Sequence, residues 1–241
     1  MISINIPCYN RSQLLKECVK SFLNQTFDDF EIIIVDDGSE EDLSAITLMD
    51  ERIKMFRIEH SGISRSFNVA LDHSSGEYIM PMGSDDLASD PNLLKLTFEE
   101  IKRREKRGYN VVYTDHWYMR GDGGLLRNKF HAAHQRFSQE ECIRRMLEKS
   151  FISHGGALWQ KDKMPRYDES LESAVDLELI LTALERGVRF FHLPLRLWTY
   201  RCGEHPREGR SKRQIDACNI ILGRRGYYFD KSTRRGKKIC N

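Results

Sequence analysis

The sequence predicts an α/β protein in which a doubly wound sheet is layered with helices. Two observations predict it. Strand-like and helix-like patterns alternate from residue 1 to 115, and three acidic or aromatic signals fall directly after strand patterns: Tyr9 after Ser3–Ile6, Asp36-Asp37-Gly38-Ser39 after Ile32–Val35, and Asp85-Asp86 after Tyr78–Met80. In an open parallel sheet, ligands bind in the crevice outside the carboxyl ends of the strands. Carboxylates delivered there from successive strands converge on one molecule, and adjacent carboxylates suit a divalent cation or the hydroxyls of a sugar.

Each element has a local reason. Behind the first strand, Leu14, Leu15, Cys18, Val19, Phe22 and Leu23 recur at helical spacing, with Ser12 as the expected N-cap. Ile32–Val35 is short, β-branched and closed by Asp-Asp-Gly, which suits a buried parallel strand ending in a turn. Glu40–Met49 reads as a helix, Ile53–Ile58 as a strand, Ser64–Leu71 as a helix and Tyr78–Met82 as a strand. Asp90-Pro91 opens a long amphipathic helix, with Asp as N-cap and Pro at the first helical position, running into the basic stretch Lys102–Arg107. Val111–Tyr113 follows as a strand. Beyond it, Gly121–Gly124 reads as a hairpin or loop and Gln139–Lys149 and Ser173–Arg186 as helices, while Arg189–Leu193 and Leu197–Arg201 read as short strands flanking Pro194.

With 241 residues, 40% of them hydrophobic, the chain is long enough for one large domain or two fused subdomains. No apolar run reaches the roughly 20 residues that span a bilayer, and no secretory signal pattern opens the sequence, so the expected compartment is the cytoplasm. Six scattered cysteines lack CxxC or zinc-site spacing and are expected as buried or free thiols. The net charge of +2 hides an asymmetry: residues 201–241 carry twelve Lys or Arg against four Asp or Glu, so the body is acidic and the C-terminal segment basic. That segment either meets a polyanion such as lipid headgroups or is a solvated tail.

Taken in order, Pro7-Cys8-Tyr9-Asn10, Glu31 through Val35-Asp36-Asp37-Gly38-Ser39, Gly62-Ile63-Ser64 with Asn68, Gly76–Ile79 and Ser84-Asp85-Asp86 resemble the family 2 glycosyltransferases. A lone Asp-Asp-Gly-Ser is a weak signal, since it makes a good turn in any protein. Five elements in sequence are specific, and a looser similarity continues through Tyr167-Asp168-Glu169, Asp176–Leu179 and Trp198–Arg201. The resemblance implies the GT-A fold: a Rossmann-like, mixed but mainly parallel sheet flanked by helices, with a smaller acceptor-side subdomain. It divides the chain into a nucleotide-sugar half at 1–115, an acceptor and catalytic half at 116–201, and the basic segment 202–241.

It also implies a site. Pro7 and Tyr9 lie along the donor nucleotide, and Tyr9 offers a stacking surface. Asp37 accepts from the base, and Asp36 supports the loop or the ribose. Arg65 supplies a cation to a phosphate, since Phe67 stands where many members carry Arg, and Asn68 lies near the donor. Asp86 is the first ligand to Mn²⁺ or Mg²⁺, with Asp85 toward the ribose or a bound water; Gly83 stands where many relatives have a further Asp. Asp176 is the general base of an inverting transfer, with Val175 in place of the usual Glu. His205 closes over the diphosphate or metal. His154 lines the acceptor cleft, and Trp159 or Trp198 offers a sugar-stacking face.

The implied reaction moves a sugar from a nucleotide-diphosphate donor, a UDP-sugar by family preference, to a glycan or lipid-linked acceptor, with peripheral membrane contact through the basic segment. The rivals are a non-catalytic sugar-nucleotide-binding module, suggested by Gly83, Phe67 and Val175, and a transferase acting on nucleic acid. The latter is disfavoured because the basic segment lacks interleaved aromatics and no DNA-binding motif is present.

Overall fold

The computed structural model describes residues 1–127, 137–202, 212–230 and 235–238. Its centre is an eight-stranded mixed sheet flanked by helices. Strands β1 (Ile2–Cys8), β2 (Phe30–Asp36), β3 (Ile53–Arg57) and β4 (Tyr78–Pro81) are parallel in the order β3-β2-β1-β4. The chain thus winds outward from β1 to β3 and then returns to its other side at β4. That reversal opens a crevice between the carboxyl ends of β1 and β4.

The sheet continues through β7 (Leu158–Gln160), which is antiparallel to β4 and β5, to β5 (Val111–Met119). The last residues of β5 form a hairpin with β6 (Leu125–Arg127), closed by the Arg120–Gly124 turn. Strand β8 (Phe190–Arg201) runs parallel to β5 along its whole length.

Two apolar cores sit on opposite faces. Alternate side chains Ile2, Ile4 and Ile6 of β1 meet Leu15, Val19 and Phe22 of α1 (Ser12–Leu23) and Leu93, Leu94 and Ile101 of α4 (Leu93–Glu105). Each fully buried side chain of this size contributes about 1.5–3 kcal/mol. The second core joins Phe67 and Leu71 of α3 (Ile63–His73) to Tyr113 and Trp159, to α5 (Gln139–Glu148) and α6 (Val175–Glu185), and to Cys218, Ile221 and Leu222 of α7 (Lys212–Gly223). Cys8, Cys18, Cys142 and Cys218 are buried, as expected of core thiols. Cys240 lies outside the described residues.

Four local expectations are corrected. The helix expected over Glu40–Met49 shrinks to α2 (Ser44–Thr47), because Glu40 N–H donates to Asn10 Oδ1 at 2.8 Å and the Glu41 carboxylate accepts the Ser12 N–H at 2.8 Å. These bonds hold residues 40–41 against the start of α1, where Ser12 is the first helical residue and not the cap. Asp90-Pro91 forms a turn ahead of α4: Asp90 Oδ1 and its carbonyl accept from Asn92 and Leu93, and the Pro91 carbonyl accepts the Thr26 N–H. Pro194 does not divide two strands. Thr114 pairs with Leu193 and Asp115 with Arg196, so Pro194 and Leu195 fall in a bulge, where the missing N–H is tolerated.

A further correction concerns the basic segment. In its described part it is folded: α7 packs into the second core, Arg224 bonds Asp168 at 2.7 Å, and Arg225 bonds Glu178 at 2.7 Å and Glu185 at 2.6 Å. These cations are neutralised within the chain. Among the described residues no helix is long and apolar enough to cross a membrane.

Candidate active site

The switch-point crevice is a cleft of about 730 Å³. Pro7, Cys8 and Tyr9 reach it from β1, Asp37 from β2, Ser61, Gly62 and Ser64 from the start of α3, and Gly83 to Asp85 from the loop after β4. Asp37 and Asp85 therefore face one space, the convergence expected from their positions after separate strands.

The two carboxylates after β2 divide their work. Asp36 is buried; its Oδ1 accepts the Ser39 N–H at 2.8 Å and its Oδ2 meets Arg57 Nη1 at 2.7 Å. It supports the loop. Asp37 accepts the Ser61 N–H at 2.9 Å and the Gly62 N–H at 3.0 Å, so it ties the end of β2 to the first turn of α3. Gly62 has φ +92, a conformation that favours glycine. Tyr9, 42% exposed, stacks on His60 with centroids 4.1 Å apart. His60 also places Nδ1 3.0 Å from Asp37 Oδ2. Nothing in the sequence marks His60 beyond its place two residues before Gly62.

The loop after β4 gathers the second carboxylate pair. A Cβ built on Gly83 would lie 3.0 Å from Asp85 Oδ1 and 2.9 Å from Asp86 Oδ2, so both oxygens border one small space. Arg11 Nη1 bonds Asp85 Oδ2 at 2.7 Å, and the Arg201 N–H bonds Asp86 Oδ1 at 3.0 Å. Arg201 also donates from Nε to the Asp85 carbonyl and from Nη2 to Glu17. Burial, then the Asp85 charge, push Asp86 up to about 8. Two carboxylates whose oxygens border one space, in a setting that resists a second negative charge, fit a hard, oxygen-liganded divalent cation. Among the described residues no group of three or more His, Cys, Asp or Glu that could hold a metal occurs. His205 lies outside the described residues.

Asn68 corrects its expectation. It is buried, its Nδ2 donates to the Tyr167 carbonyl at 3.0 Å and to Glu169 Oε1 at 2.8 Å, and its Oδ1 accepts the Tyr167 N–H at 2.9 Å. Its amide holds the 167–169 segment, and Glu169 in turn lines the cleft. Arg65 is exposed, does not line the cleft, and comes within 3.9 Å of Glu169. Phe67 has a packing reason: it stacks on Tyr167 at 4.7 Å and meets His154 edge-on at 5.4 Å.

Asp176 is exposed on the first turn of α6, where the helix N-terminus favours a negative side chain. His154 Nε2 lies 2.7 Å from Tyr167 Oη; burial lowers His154 to about 4, against the pull of the Asp176 carboxylate. Trp198 and Trp159 are core, not platforms: both are buried, and the Trp198 indole covers Gly155 and Gly156, where an added Cβ would meet it at 2.8 and 2.6 Å. The exposed aromatic is Tyr200, two residues on. Burial, then the charges of Asp86, Asp85, Cys202 and Asp176, push its hydroxyl up to about 12.

The switch-point sheet with its carboxylate-lined cleft defines the GT-A class of glycosyltransferase fold. In solved structures the same fold recurs in S. aureus TarS 1–349 in complex with UDP-GlcNAc (TM-score 0.70, 18% identity, 91% of this chain and 65% of that one). It recurs also in the mannosyltransferase PcManGT from Pyrobaculum calidifontis in complex with GDP-Man and Mn²⁺ (TM-score 0.66, 15% identity, 93% and 63%). The glycosyl transferase family 2 model matches residues 3–164, and the chain belongs to that family. Chondroitin synthase of Pasteurella multocida (strain Pm70) is 30% identical over 197 residues, 80% of this chain and 20% of that protein. Hyaluronan synthase of Pasteurella multocida is 30% identical, over 80% of this chain and 19% of its own length. The chain thus spans about a fifth of each of these synthases.

Proposed function

We propose that the chain transfers a sugar, with inversion, from a nucleotide-diphosphate donor to a hydroxyl of a glycan or lipid-linked acceptor. The carrying observation is the single cleft that gathers Asp37 and Asp85, with Asp86 buried beside them. Its volume of about 730 Å³ falls in the usual range for small-molecule sites.

In this reading the Tyr9–His60 rings border the nucleobase, Asp37 and the Ser61-Gly62 turn hold its polar edge, and Asp85 and Asp86 would hold Mn²⁺ or Mg²⁺. When bound, that cation neutralises charge on the departing diphosphate. Asp176 takes the proton of the acceptor hydroxyl as its oxygen attacks the anomeric carbon from the face opposite the diphosphate. The bond to the diphosphate breaks, and its electron pair leaves with the nucleotide. A UDP-sugar is supported by the TarS complex with UDP-GlcNAc, although the PcManGT complex carries GDP-Man. A glycan acceptor is supported by the names of the two synthases. Cytoplasmic residence and membrane contact through the basic segment 202–241 belong to the same reading, with Arg224 and Arg225 already paired within the chain.

The test is a thermal-shift screen of UDP- and GDP-sugars with and without Mn²⁺, since a ligand of the native state raises its apparent stability. Mn²⁺-dependent stabilisation by a sugar nucleotide, followed by release of nucleotide on turnover, is expected. Binding without turnover on any saccharide would identify a non-catalytic module instead.

A further inference from the structure

We propose that Tyr200, Tyr118 and Leu126 form the acceptor platform, on which the terminal rings of a glycan lie with their apolar faces against the sheet. This assignment rests on the transfer reaction proposed above. Tyr118 of β5 pairs with Tyr200 of β8 on one side and with Leu126 of β6 on the other, so the three residues stand in a row across adjacent strands. Directly paired residues project from the same face of a sheet. The Tyr118 and Tyr200 rings meet edge-on, with centroids 5.7 Å apart. Tyr200 is 43% and Leu126 37% exposed, unusual for large side chains on a face whose preceding pair, His116 and Trp198, is buried.

The row begins at the reaction centre. Thr199 exchanges both backbone hydrogen bonds with Leu87, and the Arg201 N–H bonds Asp86 Oδ1, so Tyr200 is held directly beside the Asp85-Asp86 loop from both sides. From there the row leads away from the cleft toward β6. Neighbouring strands lie about 4.8 Å apart, a spacing that lets successive side chains meet successive sugars of a chain. Tyrosine suits such contacts, because its ring is a flat apolar surface with a hydroxyl at its end for the sugar's rim. The ring, not the hydroxyl, carries the stacking, and this separates the platform from a polar catalytic role.

Saturation-transfer NMR on the full chain with UDP and Mn²⁺ tests it, using methyl β-glucoside, β-galactoside, β-N-acetylglucosaminide and β-glucuronide as probes. At least one glycoside is expected to receive saturation mainly on one face of its ring. Tyr200→Phe retains that signal, while Tyr200→Ala and Tyr118→Ala each weaken the glycoside about tenfold, the upper range for aromatic contacts. Wild-type affinity in both alanine variants overturns the platform, as does the absence of any glycoside signal in wild-type protein that binds UDP. Failure of the wild type to bind UDP is a separate result and refutes the donor site on which the platform depends.

Discussion

The Asp37 carboxylate and the Gly62 N–H, 3.0 Å apart, join the end of β2 to the start of α3. With the second bond to Ser61, this contact shapes the wall of the cleft as well as lining it. Asp37→Ala leaves two N–H groups without their acceptor, which costs about 1–3 kcal/mol. Urea unfolding and calorimetric titration with UDP should therefore show loss of stability and of affinity together. Unaltered stability would mean that the loop is held by other contacts.

In the proposed reading Asp86 holds the metal, and its burial beside Asp85 pushes it up to about 8. Asp86→Asn preserves an oxygen for the Arg201 N–H and replaces a carboxyl that burial and Asp85 already push up, so the metal-free variant should melt no lower than wild type near neutral pH. Wild-type protein at a Mn²⁺ concentration about a hundred times the Kd should gain about 2.7 kcal/mol, and the variant should gain nothing. Persistent Mn²⁺ stabilisation in Asp86→Asn would move the metal elsewhere.

Asp176→Asn should keep UDP affinity and lose transfer by a factor on the order of 10² or more, the usual worth of a general base. Single-turnover measurements separate the two effects. A wild-type rate would remove Asp176 from the chemistry.

Burial lowers His116 from its usual 6.5 to about 4. Between those values the unfolded chain takes up a proton that the folded protein refuses, so stability falls as pH drops from 6.5 to about 4 and levels off below. The slope is at most about 1.4 kcal/mol per pH unit from this residue. His154, also lowered to about 4, acts with the same sign. Unfolding midpoints at pH 7 and 4.5 should differ less in His116→Phe than in wild type; an equal difference would show that His116 does not carry the effect.

Much of the fold was legible because its signals are local. The β-branched run Ile32–Val35, the helical spacing behind Ser12 and the Gly121–Gly124 turn all formed as read. Glu40–Met49 misled because its helical pattern is overridden by bonds from Asn10 and Ser12, brought in by the tertiary fold. The charge count of residues 201–241 read as an appendage because the carboxylates that neutralise Arg224 and Arg225 sit on distant elements.

Side-chain identity after each strand determined that carboxylates meet at the crevice, since the winding of a parallel sheet brings strand ends together whatever the loops do. Which of those groups stay available was decided only by folding: Asn68 and Asp36 are consumed by partners within the chain, Trp198 is pressed onto two glycines, and Tyr200 is left in the open. The reason is that hydrogen-bond satisfaction and close packing are settled between residues far apart in the chain, and a one-dimensional pattern carries no record of them.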